Sequence, residues 1–161
     1  MDSKDYKKII IDELSACLKP FGFKRKGNSY QKTNGELTYY ITLQSSMSST
    51  SQLLKLTLNI EIASAILAAY DDDRMPIHLH RHYQKRIGQY LDVSQDKWFF
   101  IDCIATAQIS SQQITQIIKN KVLPQLDLFK STDDLMLKPG GLTKVQIAHY
   151  SKMIDQQAGL S

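Results

Sequence analysis

Three histidines at alternate positions, His78, His80 and His82, come nearest to chemistry by type and spacing in this 161-residue chain. On a strand all three would share a face; on a helix only His78 and His82 would, at a spacing that some zinc sites use. A closed site needs a third and usually a fourth ligand, and Asp71, Asp72, Asp73 or His149 would have to supply them. Arg74, Arg81 and Arg86 nearby would repel a cation, so the segment reads as a basic helix and no metal is expected. The run Asp71-Asp72-Asp73 points its carboxylates in different directions, and Mg²⁺ usually takes substrate phosphates as co-ligands. A solvated helix end is the plainer reading of it.

Nucleophile chemistry leaves no mark either. There is no Gly-x-Ser-x-Gly, no P-loop, no dinucleotide glycine fingerprint, and no well-placed histidine for Cys17 or Cys103. Scattered catalytic groups can still assemble in a fold. The sequence therefore leans away from an enzyme and implies no cofactor, with a hydrolase around His78, His80 and His82 as an alternative. Two cysteines in apolar patterns make neither a disulfide framework nor a zinc spacing, and they are expected as buried, reduced thiols of a cytoplasmic protein.

Charge offers a second kind of site. Residues 19–32 and 74–86 carry cations and no acid, and Tyr30 and Tyr83 lie among them. Lys24, Arg25, Lys26, Arg81 and Arg86 are the candidate anion-binding residues, a set that would suit RNA or another polyanion if the fold joined them. A net charge of +4 permits such a partner without demanding it, and no RNA-binding signature is present.

The elements that must position these residues are organised around residues 36–62. Leu37, Tyr39, Ile41 and Leu43 alternate with Thr38, Tyr40, Thr42 and Gln44; Leu54, Leu56, Leu58, Ile60 and Ile62 alternate with Lys55, Thr57, Asn59 and Glu61. A period of two puts alternate side chains on one face. Residues 36–44 and 53–62 are thus expected as antiparallel strands with an oily face under helices and a wet face left open. Tyr40, Thr42, Gln44, Lys55, Thr57, Asn59 and Glu61 are the candidate partner-binding residues of that wet face. One aromatic, hydrogen-bonding groups and balanced charge suit a reversible protein contact.

In chain order, Ser3 is expected to cap a helix to about residue 18, stopped by Pro20 and Gly22. Residues 23–32 follow as a strand with a bulge at Gly27-Asn28, then a tight hairpin at Asn34-Gly35. The serine-rich linker 45–51 is expected to be mobile. Residues 63–70 and 79–91 read as helices, and 96–103 as a strand covered on both faces. Ser110 with Gln113 opens a helix that Pro124 divides. A short helix at 131–137 and a last one capped by Thr143 with Gln146 complete the chain. The order gives an α+β fold: a single antiparallel sheet of about four strands with helices mainly on one face. With no repeat, residues 1–161 read as one domain. No apolar run approaches the ~18–20 residues that span a bilayer, and no membrane partner is expected.

Four short motifs follow one another in order: Phe21-Gly22-Phe23-Lys24, Leu43-Gln44-Ser45-Ser46, Arg86-Ile87-Gly88 and Asp96-Lys97-Trp98-Phe99. Through them the chain resembles the uncharacterised bacterial family called domain of unknown function 4304 (DUF4304), over most of residues 1–130. Phe99 departs from it, standing where the family often has a second tryptophan, and the final helix is outside the resemblance. The family name implies no activity, so no catalytic residue carries over. Some members stand beside bacterial toxin systems, which implies a protective or partner-binding role. Three readings result: a protein-interaction module, with an immunity or antidote partner as one form of it; a binder of nucleic acid or another polyanion; and a hydrolase. A basic antidote would meet a target that is neutral or acidic at the contact.

Overall fold

The structure, a computed structural model, describes residues 1–71 and 81–159. Its longest strands are the two that alternation marks. We label them β3 (Leu37–Ser45) and β4 (Leu54–Ser64); they pair antiparallel with Leu37 opposite Ser64 and Leu43 opposite Leu58. Leu37, Ile41, Leu56, Leu58, Ile60 and Ile62 are fully buried, as the oily face requires.

The rest of the sheet grows outward from this pair. Strands β1 (Lys24–Lys26) and β2 (Ser29–Asn34) form a hairpin, and β2 continues onto β3. On the far side β4 is long enough for two partners end to end. Phe99–Ile101 (β6) pairs with Leu54–Leu56, and Tyr83–Arg86 (β5) pairs with Asn59–Ile62. The sheet thus has six strands, β5 and β6 sharing one edge of β4.

Helices cover the oily face. Helix α1 (Ser3–Leu18) buries Tyr6, Ile10, Leu14, Cys17 and Leu18, one stripe at helical spacing. It packs along α3 (Ile104–Ile117), whose buried stripe is Ala107, Ser110, Ser111 and Ile114. Tyr30 ties sheet to helix by donating to the Ile11 carbonyl at 3.0 Å. The Tyr39 hydroxyl reaches the Phe129 carbonyl. The remaining helices are α2 (Ala65–Ala68), α4 (Leu123–Leu126), α5 (Thr132–Leu137) and α6 (Lys144–Gly159).

Several sequence expectations need correction. Asp2, not Ser3, caps α1, in a reciprocal box with Asp5. Gly27-Asn28 is a two-residue turn between β1 and β2, not a bulge; Gly27 has φ +62°, the left-handed conformation that such a turn needs at its first position. Gly35-Glu36 makes the next turn, one residue later than expected. The linker after β3 is tied down rather than loose. Ser49 Oγ bonds both the N–H and the carbonyl of Lys55, and Ser51 accepts from the Ser3 N–H at 2.9 Å.

The helix expected over residues 79–91 is absent from its described part. Residues 83–86 are strand β5 and 87–90 a single 3-10 turn; residues 79 and 80 lie outside the described part of the chain. The edge of β4 beyond β6 carries backbone groups that need partners, and this outweighs a weak local helix preference. Residues 63–70 are helical only at α2, because β4 runs on to Ser64. Strand β6 is short, and Phe100 on its outer side is 57% exposed, so it is covered on one face only. Helix α3 begins at Ile104, capped by Cys103 with Thr106, and not at Ser110; in that cap Cys103 is exposed, so of the two cysteines only Cys17 is buried as expected. Pro124 is met by a wide π turn at Ile118–Val122, which spares its ring the clash with the carbonyl four residues back.

Candidate functional site: the outer face of the sheet

Residues directly opposite one another in an antiparallel sheet share a face. From β3, Tyr40 lies opposite Gln31 of β2 and Glu61 of β4, and Thr42 lies between Ser29 and Asn59. Gln31 and Ser29 in turn pair with Lys24 and Lys26 of β1, while Asn59 and Glu61 pair with Arg86 and Gln84 of β5. The register therefore places Lys24, Lys26 and Arg86 on the same outer face as Tyr40, Thr42, Gln44, Lys55, Asn59 and Glu61. Two sets that sequence kept apart become one surface.

Arg81 joins it from just before β5. Its guanidinium stacks on the Tyr40 ring at 3.7 Å and stands 3.8 Å from the Glu61 carboxylate. At the other end, Lys55 Nζ lies 5.1 Å from the centre of the Trp98 ring and 5.3 Å from that of Phe100. Arg86 sits over the same Trp98 ring at 5.4 Å. Asp96 binds this end together, accepting from Arg86 at 3.0 Å and from the indole N–H of Trp98 at 3.0 Å; those two bonds hold its carboxyl below the usual carboxylate range. Between the ends, Asn59 donates to Gln44 at 2.7 Å, and Ser29 meets Thr42 at 3.0 Å.

Two expected members are elsewhere. Thr57 is fully buried and donates to the Lys97 carbonyl at 2.7 Å. It stands opposite the gap between β5 and β6, where the chain joining those strands closes over the sheet. Arg25 pairs with Tyr30, a residue of the oily face, and donates to the Gly27 carbonyl at the hairpin end. Asp96, Trp98 and Phe100 were missed. Their signal was the alternation of Trp98 and Phe100 with the buried Phe99 and Ile101.

The histidine cluster divides. His78, His80, Asp72, Asp73 and Arg74 lie outside the described residues. His82 is buried, its Nδ1 accepting from the Ser64 N–H at 2.8 Å and its Nε2 standing 2.9 Å from Asp71. A backbone N–H only donates, so Nδ1 bears no proton and Nε2–H donates to the carboxylate. Tyr150 of α6 donates to the other Asp71 oxygen at 2.6 Å. Asp71 is thus enclosed, not solvated: its side chain is 6% exposed. Ser64, His82 and Asp71 have the residue types of a hydrolase triad but not its geometry. The serine hydroxyl bonds Thr132 at 2.7 Å and accepts from the Leu67 N–H, while the imidazole meets this serine through the backbone N–H. Among the described residues no group of three or more His, Cys, Asp or Glu could hold a metal ion, and no helix is long and apolar enough to cross a membrane.

Neither the curated proteins nor the solved structures contain a match to this chain. A family model does match, over residues 14–128, a span that holds the whole sheet and the outer face but neither α5 nor α6. The resemblance carried by the four short motifs is therefore correct, and the chain belongs to the family described as Domain of unknown function (DUF4304).

Proposed function

We propose that the protein is an interaction module that docks a protein partner on the outer face of its sheet. The face offers Tyr40, Trp98, Arg81 and Arg86, residue types that anchor protein interfaces, set among hydrogen-bonding side chains. Lys24, Lys26, Lys55, Arg81 and Arg86 outnumber Glu61 and Asp96, so charge complementarity favours a partner with an acidic patch. An antidote for a toxin with an acidic contact surface is one form of this role, in keeping with the company attributed to the family.

The alternative is a polyanion, and the cations gathered by the register speak for it more than the sequence did. One observation favours the protein reading. Single-stranded nucleic acid binds on open aromatic faces, and here each exposed ring already has a cation over it: Arg81 on Tyr40, Arg86 on Trp98, Lys55 between Trp98 and Phe100. A base would first have to displace these.

Salt and mutation separate the two. Five phosphate contacts would weaken binding about 100-fold between about 50 and 200 mM salt, and a mixed polar contact far less. The products of genes beside this one are the proteins to assay. Tyr40→Ala with Asn59→Ala should abolish capture of the partner while leaving the melt cooperative. Capture that survives this pair, and is lost in Lys24→Ala with Arg86→Ala along a steep salt slope, would replace the protein reading with the polyanion one.

A further inference from the structure

A second feature lies around the β5 edge, on the other side of the sheet. Lys85 is paired with Ile60, a buried residue of the oily face, so its side chain leaves the sheet on the helix side. It runs over the rings of Tyr83 and Tyr90, with Nζ 5.1 and 5.6 Å from their centres. The ammonium ends in a cleft closed by the Gly140-Gly141 turn; a Cβ built on Gly140 would stand 3.7 Å from it.

Three properties of this cleft agree. Among the described residues no carboxylate lines it. Lys85 makes no ion pair or hydrogen bond with any described residue, whereas Lys8, Lys121 and Lys138 each have an aspartate. The amides of Gln89 and Gln146, also in its wall, have their carbonyl oxygens committed to backbone N–H groups, of Arg86 at 2.8 Å and Thr143 at 2.9 Å. That fixes their orientation and leaves both NH₂ groups as donors. A half-buried cation and two amide donors without an acid form a receptor for negative charge. Burial alone already holds the Lys85 ammonium below the usual lysine range. An anion would reverse that shift.

We propose that this cleft binds a small anion, the phosphate or carboxylate group of a low-molecular-weight ligand, with Lys85 as its counter-charge and Gln89 and Gln146 as hydrogen-bond donors. The cleft adjoins the outer face at the β5 edge, where Arg81 and Gln84 also line it, but the anion rests on Lys85, Gln89 and Gln146 and not on what docks on that face. Lys85 and Gln89 lie within the family match, while Gly140, Gly141 and Gln146 lie beyond it, so the C-terminal segment completes the cleft.

The test uses the full-length protein and two probes, inorganic phosphate and citrate, at constant ionic strength set with chloride. The Lys85 side-chain resonance should shift saturably, one equivalent per chain, and its titration midpoint should rise. A response to phosphate alone assigns a phosphate ligand, and a response to citrate alone assigns a carboxylate. Lys85→Met should abolish protection against thermal unfolding by the active probe, and Lys85→Arg should keep most of it. A shift that grows linearly without saturating, or that chloride reproduces, would overturn the site. So would a Lys85→Met protein still protected by the probe. Should that variant not fold, the resonance of the native lysine decides the question unaided.

Discussion

Thr57 shows what alternation conveys and what it omits. The period of two assigns it to the outer side of β4 correctly, and its register opposite Gln44 agrees. Whether that position meets water depends on the chain forty residues later, where the Lys97 carbonyl closes on the hydroxyl. Thr57→Val keeps the shape and leaves a buried acceptor without its donor, so it should lower stability by ~1–3 kcal/mol. Thr57→Ser keeps the donor and should lose less than Thr57→Val in urea melts; equal losses would show that the bond contributes nothing. A second prediction at this scale concerns the buried pair Tyr83 and Tyr90, whose hydroxyls stand 2.6 Å apart. Burial pushes Tyr83 up to about 12 and Tyr90 further still. A folded-state value raised above the unfolded ~10 stabilises fully below pH ~10, and the contribution is lost as pH rises through the folded value. Urea midpoints should therefore fall between pH ~10 and ~12. The fall should be smaller in the Tyr83→Phe, Tyr90→Phe double variant.

Among elements, those whose partners are local were legible and those whose partners are distant were not. The α1 stripe, the Pro20 and Gly22 stop and the cap at Thr143 follow from neighbours a few residues away, and the β3–β4 pair from alternation within two strands adjacent in sequence. Strand β5 does not, because it exists to complete the edge of β4 beyond β6. The start of α3 was misplaced because Ser110 and Ser111 resemble a cap in sequence, yet they are buried inside the helix, Ser111 bonding the Ala107 carbonyl at 2.8 Å. Gly88 links these elements. A Cβ there would stand 1.9 Å from the Gln95 carbonyl oxygen, so the chain between β5 and β6 folds back only over a glycine. Gly88→Ala should lower stability by ~1–3 kcal/mol or more, since backbone must move to admit the methyl group. In the centre of the sheet, Leu58→Ala should lower it by ~2–5 kcal/mol as a buried large-to-small change. If Leu58→Ala in a denaturant melt matched an exposed substitution such as Lys26→Ala, the assignment of the two faces would fail.

At the scale of the molecule, the candidate surface was legible in composition but not in assembly. Its residues come from positions 24–26, 40–44, 55–61, 81–86 and 96–100, and only the register of five strand pairings brings them together. Sequence spacing holds no such information, which is why the cations and the polar face were read as rival sites. The same holds for the contact that fastens the C-terminal helix. Tyr150 of α6 meets Asp71, which meets His82, whose ring in turn receives the backbone of Ser64 at the end of β4. Three segments remote in sequence thus close on one carboxylate, and the Tyr150 ring stands edge-on to His82 at 5.6 Å. Tyr150 is the buried side chain of α6, and Ile147 packs half-buried against the core beside it. Tyr150→Phe removes one donor to a charged acceptor, a change of ~1.5–3 kcal/mol, and it leaves the ring in place. The loss should appear as local opening and not as global unfolding. In hydrogen exchange, amides of residues 146–157 should lose protection while those of β3 and β4 keep theirs. Uniform loss across sheet and helix would mean that α6 is part of one cooperative core, and unchanged exchange would mean that its apolar contacts hold it without the tyrosine.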